Sequence, residues 1–422
     1  MYRYWEPTYN GMELSQPHGA KKAPNQFRLV SYNILAQDLL VEHLQLYQGI
    51  HSQLLHWEHR LEKLKSELEI LQPDILCLQE MQYNHLKSFV QELSHKRKVE
   101  YIFKKKTGRR TDGCAIIYDR NKFKLDDDQC VEYYTNDVAT LNRENVAIMA
   151  KFQVRNDPTT EFIVATTHLL YNPRREDVRI SQVGVLLRAL ASFAIRTKHS
   201  RLPTILAGDF NFTPDTDAYK FLVTQRKFNE YLFQMESIDF GRDAVSTFQD
   251  EWVTVDYILK SIAKDKEKSI TIESTYKLPT AESCMNIGKI PNTFLGSDHF
   301  SLAISFSIPR NSSTTRSASR TDGEVEVKVT AEDFSSKLTE LRGGFGGGSF
   351  ISPPDLCLRW VLPVKPEVTV TGVSRSEIFS KGGAVGVCGS KELHVKGENV
   401  MVASLGGLLP GQSSVATTLK KH

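Results

Sequence analysis

The feature that most restricts how this chain can fold is a set of short apolar runs that each close on an acid, an amide or an imidazole. One run, entered through Pro203-Thr204-Ile205, reads Leu206-Ala207-Gly208 and closes on Asp209, with Asn211 two places on. Apolar runs this short, bounded by polar residues, read as buried strands. Residues two apart on an extended chain point the same way, so Asp209 and Asn211 are expected to face one point in space. Alone, this is an ordinary strand-to-turn junction, because Asp and Asn favour turns. The pattern recurs, however. The run at 27–35 carries Asn33 near its end, 74–80 ends on Glu80, and 161–169 closes with His168. Gly296-Ser297-Asp298-His299 precedes a last run at 300–308, and Asp256 sits inside the run at 253–259. Charged side chains are rarely buried without a partner. Carboxylates and amides gathered by separate strands suggest a hard-cation site, for Mg²⁺ with Mn²⁺ as the alternative. No Cys-His spacing points to structural zinc.

Between these runs lie helical stripes. Leu54, Trp57, Leu61, Leu64, Leu68 and Leu71 recur at spacings of three and four, with Glu58, Glu62, Lys63, Lys65 and Glu67 opposite, and Pro73 stops the pattern. Further helices are expected at 85–98, after Asn172-Pro173-Arg174 with a stripe of Val183, Leu186, Leu187, Leu190 and Ala194, and near 216–223. Strands are also expected at 99–106, 114–119 and 146–154. Helices and strands alternate early and strands dominate later. The expected fold is therefore α/β, with two mixed β-sheets packed face to face and helices on the outside. One catalytic domain spans 26–309, preceded by a flexible arm at 1–25 and followed by a Ser/Gly-rich linker and weakly ordered tail at 310–422.

The charge balance, 53 Lys and Arg against 50 Asp and Glu, is too even to imply nucleic-acid binding by itself. Local clusters carry more information, above all the basic turn from Lys104 to Arg110. The six cysteines include no C-x-x-C pair, a reduced pattern that suggests the cytoplasm, with the nucleus as second choice. No stretch approaches the ~18 apolar residues of a membrane span, and no secretory signal is visible at the N-terminus.

Ser31-Tyr32-Asn33, Cys77-Leu78-Gln79-Glu80, Thr167-His168-Leu169, Gly208-Asp209-Phe210-Asn211, Val255-Asp256-Tyr257-Ile258 and Ser297-Asp298-His299 occur in this order. The set resembles the exonuclease–endonuclease–phosphatase superfamily. The longer stretches, 31–39, Thr111-Asp112-Gly113-Cys114-Ala115, Leu141-Asn142-Arg143-Glu144-Asn145 and 167–174, are similar to its Angel branch, kin to nocturnin and the carbon-catabolite-repression deadenylases. The resemblance implies that Glu80 binds Mg²⁺ with Asn33 and Asp298 around it. It implies that Asp209 orients or deprotonates water, and that Asn211 and His168 stabilise transition-state charge. Asp256 would orient His299 and support its positive form.

Candidate substrate contacts are Lys105, Arg109 and Arg110 in the basic turn, Asn172, and the aromatic residues Phe248 and Trp252, which in related deadenylases stack on a terminal base. The function expected is Mg²⁺-dependent phosphoester hydrolysis at single-stranded RNA 3′ ends, either 3′–5′ removal of poly(A) or hydrolysis of 2′,3′-cyclic phosphate. Alternatives are a lipid phosphoesterase on the same scaffold and a non-enzymatic RNA-binding regulator. No membrane-facing apolar loop supports the former, and the complete ligand set argues against the latter. Protein partners are not legible in the sequence.

Overall fold

A computed structural model describes residues 3–8, 25–95, 97–197, 200–223, 233–262, 269–308, 379–381 and 384–386. In the unit Met1–Ala318 there are two principal sheets, of seven and six strands. The seven-stranded sheet runs in the order Trp5–Pro7, Thr271–Tyr276, Leu302–Ser307, Gln26–Asn33, Ile75–Gln82, Asp112–Asp119 and Val99–Lys105. The six-stranded sheet runs Met235–Ser237, Asp256–Ser261, Thr204–Asp209, Asp157–His168, Val146–Val154 and Phe123–Glu132.

Side-chain alternation sorts the core into layers. Leu29, Ile75, Cys77 and Ile116 from one sheet meet Ile148, Phe152, Val164, Ile205 and Ile258 from the other, all buried between the sheets. Their sequence neighbours Val30, Tyr32, Leu76 and Leu78 face outward onto Leu64, Leu68, Leu86 and Phe89. Those residues belong to the helices Trp57–Leu71 and Tyr83–Ser94. On the far side Ala165 and Leu206 pack under Leu186, Leu190 and Leu222, from the helices Glu176–Phe193 and Asp217–Val223. The result is the expected stack of helices, sheet, sheet and helices.

The structure adds to and corrects the expectations. The strand Phe123–Glu132 was not legible, because its exposed positions carry Lys124, Asp127, Asp128 and Gln129 and no apolar run forms. Part of the N-terminal arm has a fold after all. Trp5–Pro7 is an edge strand paired with Ser274–Tyr276, and the Arg3 guanidinium stacks on Tyr276 at 4.3 Å and pairs with Glu67 at 3.0 Å. Asp256 opens its strand instead of lying in mid-run. The residues before it form a separate hairpin, Thr247–Gln249 with Glu251–Val253.

Of the expected tail, 310–378, with the segment 356–373 in it, 382–383 and 387–422 lie outside the described residues. In the unit Ser319–His422 the described residues form one antiparallel pair, Phe379–Lys381 with Ala384–Gly386. Among the described residues no helix is long and apolar enough to cross a membrane.

Candidate active site

Register does most of the assembly. Asp209 lies opposite His168 on one side, across a parallel pairing, and opposite Asp256 on the other, across an antiparallel one. Paired positions on adjacent strands share a face, so the chain brings these side chains together as soon as the strands align. The close approach needs Gly208, where a Cβ would sit 2.1 Å from the carbonyl oxygen of Thr167. In the other sheet Asn33 lies beside Gln79 in a parallel pairing. The register slips between Leu78 and Met81, and Glu80 takes a left-handed φ of 57° there. A non-glycine residue held so costs about 1–3 kcal/mol, and the bulge turns the carboxylate out of the ladder.

These residues meet at a cavity of about 430 Å³ lined by Glu80, Asp209, Asn211, His168, Asp298 and His299. Asp209 is its centre. Asp209 Oδ2 accepts from Asn33 Nδ2 at 2.9 Å and lies 3.5 Å from His168 Nε2 and 3.8 Å from His299 Nε2. Its Oδ1 accepts from the Asn211 amide at 3.0 Å. Burial, with the charge of Asp256 added, pushes its carboxyl up to about 7.

The two imidazoles differ in charge. Burial opposes the charge on His299, but Asp256, whose Oδ2 is 2.8 Å from His299 Nδ1, outweighs it together with Asp209 and Asp298. His299 is therefore held as the cation, well above the usual histidine range. His168 is pushed well below that range by burial and by Lys106 and His299, so it is neutral.

The cluster is acidic. His299 is matched by Asp256 at 2.8 Å and Lys106 by Asp112 at 2.7 Å. That leaves Glu80 and Asp298 without an ion-pair partner among the described residues. Burial and the charge of Asp298 raise the Glu80 carboxyl above its ordinary value. Lys106 and the buried Arg60 temper this charge without pairing with either carboxylate, and oxygen donors in negative excess, in a water-accessible cavity, are the chemistry a hard divalent cation fits. Atoms of Glu80, His168 and Asp209 can gather around one ion, as can those of Asp209, Asp256 and His299.

Several expected residues are placed differently from the sequence reading. Asn33 was expected to give the ion an oxygen. Its Oδ1 instead accepts from the Leu35 amide at 3.1 Å, and its nitrogen bridges Glu80 at 3.1 Å and Asp209. Asn33 thus orients two carboxylates. Asn211 reaches the cavity, but not by strand alternation. It follows the strand end with φ 53°, and its Nδ2 donates to the Leu169 carbonyl at 3.0 Å. Lys105 turns inward on its own turn: its ammonium donates to the carbonyls of Lys106, Gly108 and Arg110 and so closes it.

Arg110 lines the cavity and pairs with Glu144 at 3.1 Å, whereas Arg109 is exposed and away from the lining. Asn172 lines the mouth, its Oδ1 accepting from the Arg174 amide at 3.0 Å. Phe248 lines the cavity too. Trp252 does not: it stacks on the core residue Phe300 at 5.7 Å and lines a separate depression.

Four residues were missed. Lys106 lines the cavity with its ammonium 3.4 Å from His168 Nδ1. It was hidden inside a basic run that reads as a solvated turn. Tyr47 donates to Asp298 Oδ2 at 2.8 Å. Arg60 is fully buried beneath the site and donates to the carbonyls of Ile34, Leu35 and Gly296 at 2.9–3.0 Å. A cation on the apolar stripe between Trp57 and Leu64 was its available signal. Tyr171, 53 % exposed, stands at the mouth.

A sequence model described as the Endonuclease/Exonuclease/phosphatase family matches residues 30–361. Protein angel of Drosophila melanogaster is 46% identical over 315 residues, covering 72% of this chain and 86% of that protein. Protein angel homolog 1 of Homo sapiens is 36% identical over 229 residues, and the match spans about a third of its length, 34%. Among solved structures, the fold resembles ANGEL2, described as a 2′,3′-cyclic phosphatase and solved with adenosine-2′,3′-vanadate. The TM-score is 0.63 at 26% identity, covering 73% of this chain and 99% of that one. The human Nocturnin catalytic domain with bound sulfate gives a TM-score of 0.53 at 25% identity, covering 72% and 97%.

Proposed function

Because the chain belongs to the endonuclease/exonuclease/phosphatase family, within its Angel branch, and is a metal-dependent phosphoesterase, we propose that it hydrolyses 2′,3′-cyclic phosphate at RNA 3′ ends. The observation that carries this is the seat of Asp209. It is a carboxylate poised near neutrality, between a neutral and a charged imidazole, at the floor of a cavity of about 430 Å³. Such a volume suits a small ligand such as one terminal nucleotide. Trp252, which a clamp on successive bases would use, is committed to the core. The likeness to ANGEL2 supports the same substrate class.

Glu80 and Asp298 are the residues that would hold Mg²⁺, with Asn33 and Tyr47 fixing their orientation. When bound, the ion supplies Lewis-acid polarisation of the phosphoryl group and neutralises charge on the departing oxygen. The chain does the rest. Asp209 takes a proton from water as the water oxygen bonds to phosphorus and one ribose P–O bond breaks, and the freed ribose oxygen takes up a proton from solvent to become a hydroxyl. The charge gathering on the phosphoryl oxygens meets the His299 cation and the His168 ring, neutral and therefore able to donate one hydrogen bond. Asn33 keeps Asp209 turned toward the attack point.

Removal of poly(A) is the second reading, favoured by Tyr171 and Phe248 at the cavity, where bases could stack. The test offers the protein two RNAs: oligo(A) with a 3′-hydroxyl and a mixed sequence with a 2′,3′-cyclic end. Loss of the cyclic end without shortening is the expected result. Shortening of oligo(A) alone would favour the second reading, and inactivity on both would overturn RNA-end hydrolysis.

A further inference from the structure

We propose that Lys106 sets the tautomer of His168, donating to Nδ1 and so keeping the ring proton on Nε2, where it points at the reacting phosphate. Lys106 Nζ lies 3.4 Å from His168 Nδ1. An ammonium has three donors and no acceptor, so in this contact Nδ1 must accept. A neutral imidazole that accepts at one nitrogen carries its proton on the other, and the surroundings keep His168 neutral. Lys106 is itself immobilised. Its ammonium pairs with Asp112 Oδ2 at 2.7 Å, where the Asp112 side chain is 1% exposed, and its backbone amide donates to the Asp112 carbonyl at 2.9 Å. Both residues belong to the same turn, Lys106 just beyond one strand and Asp112 at the start of the next.

The two histidines are therefore oriented by opposite means. His299 Nδ1 faces a carboxylate, Asp256, which accepts a hydrogen bond from it and so keeps a proton on that nitrogen. His168 Nδ1 faces a cation, which denies it one. A consequence follows for the site. Glu80, His168 and Asp209 offer atoms close enough to share one ion, but an Nε2 that carries a proton has no lone pair to give. His168 then acts as a hydrogen-bond donor to Asp209 or to phosphate and not as a metal ligand. Lys106 is a positioning residue, acting through His168.

The direct test is the ¹⁵N spectrum of histidine-labelled full-length protein, with and without Mg²⁺, His168 being assigned by comparison with His168→Gln. It needs no substrate, so it decides the tautomer even if the proposed RNA activity is absent; only the kinetic arm rests on that activity. The expected result is an Nε2–H ring in the wild type in both conditions. Lys106→Met combined with Asp112→Asn, which removes the ion pair without stranding a buried charge, should release the ring to a mixture of tautomers. The same variant should lower kcat on cyclic-ended RNA by roughly 10²-fold, as loss of one oriented donor does, while KM stays within about twofold. Lys106→Arg, which also can only donate, should keep the wild-type tautomer and most of kcat. An Nδ1–H ring in the wild type would overturn the proposal. So would an unchanged tautomer in the double variant, or a raised KM at constant kcat, which would make Lys106 a phosphate contact.

Discussion

Asp256 Oδ2 stands 2.8 Å from His299 Nδ1, and the far nitrogen of that ring lies 3.8 Å from Asp209. One carboxylate thus charges the imidazole that faces another. Asp256→Asn removes the largest of the charges that together outweigh burial, so the His299 pKa falls. The alkaline limb of the pH–rate profile should move to lower pH, and kcat should drop by roughly 10²-fold or more. An alkaline limb that stays in place would separate His299 from the reaction.

Asp209 links activity and stability to the same proton. A carboxyl raised from about 3.9 in the unfolded chain to about 7 in the fold favours the folded state while protonated, and that contribution is lost as pH rises toward about 7. Metal-free Asp209→Asn should therefore melt above the wild type at neutral pH, by roughly 2–4 °C per kcal/mol relieved, with the gap closing toward about pH 4. Turnover by the wild type should rise over the range in which the carboxylate ionises, whereas the variant is inert. Equal melting curves at every pH would show that Asp209 carries no such burden.

Arg60 ties the loop after Asn33 to the loop before Asp298, through carbonyls of Ile34, Leu35 and Gly296. Arg60→Met fills the space but strands those acceptors, each orphan costing about 1–3 kcal/mol. A fall in Tm of at least roughly 6 °C is expected, with weaker Mg²⁺ binding by calorimetry. Unchanged values for both would mean the loops hold themselves.

Arg110 and Arg143 are the guanidinium groups on the cavity wall. Replacing both with alanine should weaken RNA binding and reduce the log–log salt slope by about one for each phosphate that is no longer neutralised. Replacing Lys105 should not, since its ammonium is spent on three carbonyls of its own turn. A larger slope change from Lys105 than from Arg110 would reverse this assignment.

The sandwich and the gathering of strand-end polar residues at the cavity were legible because both follow from strand periodicity. A run such as Leu206–Gly208 declares its burial, and the polar residue closing it declares the strand end. What escaped was conformation set by neighbours. The bulge at Glu80 and the left-handed turn at Asn211 depend on pairing partners that a local window does not contain. Lys106 and Arg60 were hidden because charge by itself suggests solvent, and only the surrounding carbonyls and Asp112 reveal why each is buried. Trp252 was over-read for the opposite reason. An aromatic near a site is equally suited to the core, and Phe300, 48 residues on in the sequence (300 − 252), claims it.

The most direct test of metal-dependent phosphoester hydrolysis at this site is a Mg²⁺ titration of turnover on cyclic-ended RNA, by the wild type and by Glu80→Gln. Wild-type hydrolysis should be abolished by EDTA, return with added Mg²⁺ and saturate. Glu80→Gln, with one of the two carboxylates that lack an ion-pair partner among the described residues made neutral, should fold but turn over at least about 10²-fold more slowly at any Mg²⁺ concentration. Turnover that survives EDTA, or a Glu80→Gln curve that overlays the wild type, would contradict the account.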